Sequence, residues 1–244
     1  MILKILYRDH HLVAVHKPSG LLVHRSQVDV HANENCMALL RDQIGQWVYP
    51  VHRLDRPVSG ILLFALDPLI AQRLTNAFQE RKTHKSYLAL VRGFCADENV
   101  IDYPLKEDQD EATDRRANPD PVAKEAITRY RCLSKVEIPE PVGRYASARY
   151  SLVALHPLTG RKHQLRRHMK HIFHPIVGDT THGDGCHNRF FRHRFESSVL
   201  MLSATELELT HPTSGDRLHL RTQPDAAFLE TLAKLGVAPL PSAD

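Results

Sequence analysis

Apolar residues along the chain fall into short runs, and the spacing inside each run predicts the element it builds. Ile2 to Tyr7 and Leu12 to His16 flank the polar Arg8-Asp9-His10-His11, a pattern that predicts a β-hairpin. Lys17-Pro18-Ser19-Gly20 ends it, because proline cannot continue a ladder and glycine permits a turn. Helical spacing through Met37, Leu40 and Ile44 predicts a helix from Cys36 to Gln46. Ile61 to Leu66 is unbroken apolar sequence of strand length, as in a strand covered on both faces. Asp67 then caps a helix to about Arg81, with Pro68 in its first position. Strands are predicted at Lys85 to Arg92, Ala126 to Val136, Ala146 to His156 and Val199 to Leu209. Helices are predicted at Lys162 to Ile172 and Asp225 to Leu235, and a hairpin turn through Pro212 to Gly215. Pro104 to Pro121 is polar without a period and predicts a long exposed loop. Many strands with scattered helices, and no regular alternation of the two, give an α+β class with a mixed sheet.

Composition narrows the setting. A chain of 244 residues, 42% hydrophobic, can build one substantial core, so a single domain is expected over 1–244, with a polar loop or insertion near 104–124. The N-terminal apolar stretch is interrupted by Lys4 and Arg8, which fits neither a signal peptide nor a membrane span, so a cytoplasmic location without membrane attachment is expected. Cys36, Cys95, Cys132 and Cys186 are far apart and form no CxxC, which argues against a disulfide framework or a cysteine zinc site. Charge is unevenly spread. Arg161 to Arg194 holds eight Lys and Arg against two acids, a net of +6, with seven histidines, whereas Asp97 to Glu125 has a net of −6. The basic segment has the character of a polyanion footprint, although a solvated charged surface gives the same composition.

Two segments carry candidate chemistry. HRLDRPVSG, residues 52 to 60, sets Asp55 between Arg53 and Arg56 just ahead of the apolar run. Either Asp55 is a salt-bridge acceptor in a turn, or an ionised carboxylate is being aimed at a substrate. On the helix from 162 to 172, Leu165, Met169 and Ile172 share one face, while His163, Arg166, Arg167 and Lys170 lie roughly opposite. Arg166 lies on the flank, where it can reach inward to pair with a carboxylate such as Asp55 and keep it ionised. A buried structural ion pair remains the alternative.

Five motifs occur together and in order: Lys17-Pro18-Ser19-Gly20; His52-Arg53-Leu54-Asp55 with Ser59-Gly60; Lys85-Ser86-Tyr87; Gly160 to His168; and His174-Pro175-Ile176-Val177-Gly178-Asp179. Over almost the whole chain this resembles the RluA family of pseudouridine synthases. HRLDRPVSG and the stretch Gly143 to Tyr150 look most like the branch that acts on uridine 65 of transfer RNA, as does the lack of a separate N-terminal RNA-binding domain. The resemblance implies the pseudouridine synthase fold, a mixed, mainly antiparallel sheet with flanking helices and a central RNA-binding cleft. It implies isomerisation of uridine in RNA with no cofactor and no metal; a monomer is expected. Asp55 becomes the catalytic carboxylate, adding to the sugar or abstracting a sugar proton. Tyr87 becomes the residue that stacks on the target base, and Arg166 the partner of Asp55. Arg53 matches an arginine that fills the space left by the flipped uridine. Lys17, Arg161 and Arg167 are expected phosphate contacts. Departures from the pattern are Val58, where threonine is usual, and Ser203, where histidine is expected.

Other readings are a ribosomal RNA substrate, a noncatalytic RNA-binding module, and an RNA glycosylase that would release free uracil. A zinc site at His168, His171 and His174 is disfavoured, because that spacing spreads ligands around most of a helix. Protonated histidines in this basic region would instead add to phosphate attraction.

Overall fold

The computed structural model describes residues 1–24, 34–106 and 122–237, among which there are ten strands and five helices. Most of the predicted polar loop lies outside the described residues. The described residues group into two compact units, each drawn from separated stretches: 1–85 with 204–223, and 86–106 with 122–203 and 224–237.

In the first unit, β1 (Lys4–Arg8) and β2 (Leu12–Lys17) form the predicted hairpin, antiparallel with Lys4 opposite His16 and Arg8 opposite Val13. On its other side β2 pairs with β4 (Ser59–Ala65), and Lys17 lies opposite Gly60. All seven residues of β4 are buried, which is why its sequence shows no polar alternation. The short β3 (Tyr49–Pro50) pairs with the end of β4, and β10 (Arg217–Arg221) pairs with β9 (Leu202–Thr210) across the predicted Pro212 to Gly215 turn. The helix α1 (Cys36–Ile44) starts at Asn35, whose side chain accepts from the Ala38 N–H, and stops at Gly45 in the left-handed region. The helix α2 (Pro68–Gln79) starts at Asp67, which accepts from the Ile70 N–H at 2.9 Å. Its Ile70 and Leu74 pack with Ile61, Leu63 and Ala65 of β4 and with Leu207, Leu209 and Leu220.

From Ser86 on, β5 (His84–Arg92) belongs to the second unit, where the ladder runs β5, β8 (Ala148–Pro157), β7 (Ile127–Ile138), β6 (Glu98–Asp102), each neighbour antiparallel. Three helices belong here: α3 (Gln164–His171), α4 (Gly185–Arg194) and α5 (Ala226–Lys234). Beneath α4 the fully buried Tyr150 ring meets Phe191 edge-on at 5.0 Å, and its hydroxyl lies 2.8 Å from His187 Nδ1. Outside the named strands, an isolated parallel bridge joins Leu22 to Asn35 in the first unit. Neither β6 nor α4 is predicted by the apolar pattern.

Candidate active site

The loop carrying Asp55 joins β3 to β4, and its two ends are fixed in different ways. At the entry, His52 Nε2 accepts the Leu63 backbone N–H at 3.0 Å while its ring stacks on Phe78 at 4.8 Å. Burial, and then the nearby charge of Lys85, push the His52 pKa down to about 3, so the imidazole is neutral and Nε2 can serve as the acceptor. At the exit, Gly60 has φ +114°, and an added Cβ would lie 2.1 Å from the Ala204 carbonyl oxygen. Only glycine fits there. Between these ends the Val58 N–H closes a turn on the Asp55 carbonyl at 3.0 Å.

The Lys17-Pro18-Ser19-Gly20 segment grips the same loop. The Gly20 N–H donates to the Arg56 carbonyl at 2.9 Å, Arg56 Nε returns a bond to the Gly20 carbonyl at 3.0 Å, and Ser19 Oγ donates to the Pro57 carbonyl at 2.8 Å. Lys17 has no exposed surface, and its Nζ donates to the carbonyls of Pro18, Leu21 and Arg56 at 2.9, 2.8 and 3.0 Å. An ammonium has three hydrogens, and these three carbonyls match them. Lys17, expected on the RNA backbone, instead has its charge in the interior, holding the Asp55 loop against the end of β2. The sequence shows a cation in a motif but not the carbonyls that converge on it. Asp55 itself is half-buried and Arg53 is exposed, Val58 is buried, and Arg56 is tied to Gly20.

In the second unit Tyr87 sits on β5 opposite Leu155, half-buried. The helix α3 begins where Gln164 fastens it to β7: Gln164 Nε2 donates to the Ile127 carbonyl and to Thr128 Oγ1, both at 3.0 Å. From that start Arg166 turns inward, its side chain 5% exposed, as the flank position predicts. Its Nε and one terminal nitrogen fork onto Asp179 at 2.7 and 2.8 Å. Burial raises the Asp179 pKa, but the Arg166 bond, the His182 N–H, the Arg166 charge and the Thr181 N–H outweigh it, so the carboxyl stays below its ordinary value and ionised. The sequence offers Asp179 only as the last residue of a motif, and this pairing is new. Arg161 is exposed and its Nε donates to the Glu125 carbonyl at 3.0 Å; Arg167 is half-buried and donates to the Lys106 carbonyl at 2.8 Å.

The histidines have structural tasks. His168 is buried, with Nδ1 on Thr128 Oγ1 at 2.9 Å and Nε2 on the Tyr103 carbonyl at 3.0 Å, so both nitrogens are committed. His174 Nδ1 meets the Arg92 carbonyl at 2.8 Å, and the His171 ring stacks on Tyr103 at 3.6 Å. Burial pushes His168 and His187 down, which favours neutral rings and removes them from the expected phosphate attraction. Among the described residues, Glu206, Glu208 and His219 have ligand atoms close enough to share an ion, but Arg217 and Arg221 already pair with those carboxylates.

Residues 11–171 match the RNA pseudouridylate synthase family. The chain is 52% identical over 235 residues to tRNA pseudouridine synthase C of Vibrio cholerae serotype O1, covering 96% of each protein. It is 48% identical over 235 residues to the Haemophilus influenzae protein of the same name, covering 96% of this chain and 98% of that one. Among solved structures it resembles human RNA pseudouridylate synthase domain containing 4, with a TM-score of 0.71 at 26% identity, covering 96% and 93% of the two chains. Human RNA pseudouridylate synthase domain containing 1 gives a TM-score of 0.69, also at 26% identity, covering 98% and 97%.

Proposed function

The chain belongs to the RNA pseudouridylate synthase family, isomerases of uridine in RNA, and from that premise we propose that its substrate is a transfer RNA and its target uridine 65. The observation that carries the choice of RNA is the near-complete coverage at about half identity with relatives called tRNA pseudouridine synthase C. In the reaction the N1–C1′ bond of the uridine breaks, the uracil turns, and C5 joins C1′. The hydrogen leaves C5 and N1 gains one, so the RNA keeps its mass.

Asp55 is the carboxylate of this reaction. Breaking a glycosidic bond builds positive character on the sugar, and an ionised carboxylate stabilises or traps it, or takes a proton from the sugar. The clamped loop supports this reading, since a group that must meet one atom of a flipped nucleotide gains from a fixed backbone. Tyr87 stacks on the base, Arg166 serves as the cationic partner of Asp55, and Arg53, exposed on the loop, fills the gap left in the RNA stem. Arg161 and Arg167 contact phosphates through the parts of their guanidinium groups that do not hold the Glu125 and Lys106 carbonyls. The enzyme acts as a monomer in the cytoplasm, and no helix among the described residues is long and apolar enough to cross a membrane.

Pseudouridine mapping by carbodiimide and primer extension on total RNA, with and without the gene, together with turnover of a tRNA transcript by Asp55→Asn, tests the assignment. A stop at position 65 that depends on the gene is expected. Asp55→Asn is expected to lower turnover on the order of 10³-fold while tRNA binding persists. A signal lost only from 23S RNA would overturn the choice of RNA, and release of free uracil would make the protein a glycosylase. Full activity in Asp55→Asn would remove Asp55 from the mechanism.

A further inference from the structure

Asp179 is 1% exposed, and its two oxygens receive four donors: Nε and a terminal nitrogen of Arg166, and the backbone N–H groups of Thr181 and His182, both at 2.9 Å. The carboxylate is therefore fixed by its own turn as well as by the arginine. That turn is held in its place by one side chain on α4. Asn188 Oδ1 accepts the Gly178 N–H and Asn188 Nδ2 donates to the Asp179 carbonyl, both at 2.8 Å, so a single amide clamps the peptide on either side of the link to Asp179.

The backbone path has no slack. Gly178 has φ +80°, and an added Cβ would lie 1.9 Å from the Val199 carbonyl oxygen; one on Gly183 would lie 2.0 Å from the Asp179 carbonyl oxygen. The turn also reaches back to the start of α3, where His182 Nε2 lies 3.1 Å from His163 Nδ1. The position of α4 is itself secured at its first turn, where Asp184 caps the helix and pairs with Arg92 at 2.5 Å. A chain of fixed contacts thus runs from α4 through Asn188 and Asp179 to the guanidinium of Arg166.

We infer that Asn188 and Asp179 are positioning residues for Arg166, setting which edge of its guanidinium faces the reaction. An arginine side chain has many rotamers, and a two-point fork onto a fixed carboxylate selects one plane for the group. Asn188 acts at one remove: it sets the turn, the turn sets the carboxylate, and the carboxylate sets the arginine. This rests on the reading that Arg166 serves catalysis.

A double-mutant cycle tests it, using single-turnover rates on a tRNA transcript, tRNA affinity and thermal stability for Asn188→Leu, Arg166→Lys and the double variant. Asn188→Leu keeps the size of the side chain and loses both hydrogen bonds. It is expected to slow the single-turnover step by about 10- to 100-fold at a temperature where the protein is fully folded, as misplacement of a reacting group does, with tRNA affinity within about threefold of wild type. In the Arg166→Lys background the same substitution is expected to cost little more. Losses that multiply in full, or a wild-type rate in folded Asn188→Leu, would overturn the inference. Asn188→Asp, which retains the acceptor for Gly178 and loses the donor to Asp179, carries the same cycle if the leucine variant fails to fold, with a smaller expected loss. Wild-type protein that forms no pseudouridine would sink the functional reading instead, so the two failures are distinct.

Discussion

Protonating His52 would take away the acceptor that fixes the entry of the Asp55 loop, because the nitrogen that gained the proton is the one bonded to the Leu63 N–H. The folded pKa of about 3 lies below the ordinary value of 6.5, so the unfolded chain binds the proton more readily. The stabilisation from neutral His52 is therefore complete above the unfolded value and is lost as pH falls from there toward the folded one. Denaturant midpoints at about pH 7.5 and about pH 5.5 should show wild type losing more stability on acidification than His52→Phe, which retains the stack on Phe78. An equal loss in both would show that His52 does not carry it. Lys17 presents the same logic with the opposite charge state. A buried ammonium is tolerated only when its donors are met, and the three carbonyls that meet them lie on both the Lys17 segment and the Asp55 loop. Nothing in the residue types separates such a lysine from one on the surface, so the sequence alone assigns it to RNA.

At the scale of elements, legibility follows the strength of the local signal. The helix α2 has a cap, a proline at its first position and an apolar stripe, and all three point the same way. Asp67→Ala removes the cap and should cost about 1 kcal/mol by urea unfolding, with pseudouridine formation unchanged. A cost near zero would mean that packing on β4 alone holds the helix start. The helix α4 has only the Asp184 cap, followed by Gly185 and a run of basic and aromatic residues, so its period is hidden; Phe191 and His187 are its buried positions. The strand β6 is likewise hidden, since four of its five residues are exposed and only Ile101 turns inward against β7. Both elements are stabilised by what they pack on more than by their own composition. Of these two missed elements, α4 is the one that supplies Asn188.

For the molecule as a whole, the proposed function makes charge the expected driver of the encounter with RNA. The segment from Arg161 to Arg194 gathers a net of +6, and RNA affinity should fall with salt in proportion to the phosphates neutralised. Arg161→Gln should weaken binding and lower the slope of log affinity against log salt by about one, whereas an unchanged slope would exclude Arg161 from the phosphate contacts. By itself the sequence determined the α+β class, the order of the main elements, the family, and Asp55, Tyr87 and Arg166 as candidates. Each of these is written in residue types at fixed spacing, or in motifs that recur in order. Only the tertiary structure decided that Lys17 lies inside, that His52 is neutral, and that Asp179, braced by Asn188, holds Arg166. These depend on backbone carbonyls, burial and contacts between distant residues. Such quantities exist only once the chain has excluded water and brought those groups within hydrogen-bond reach.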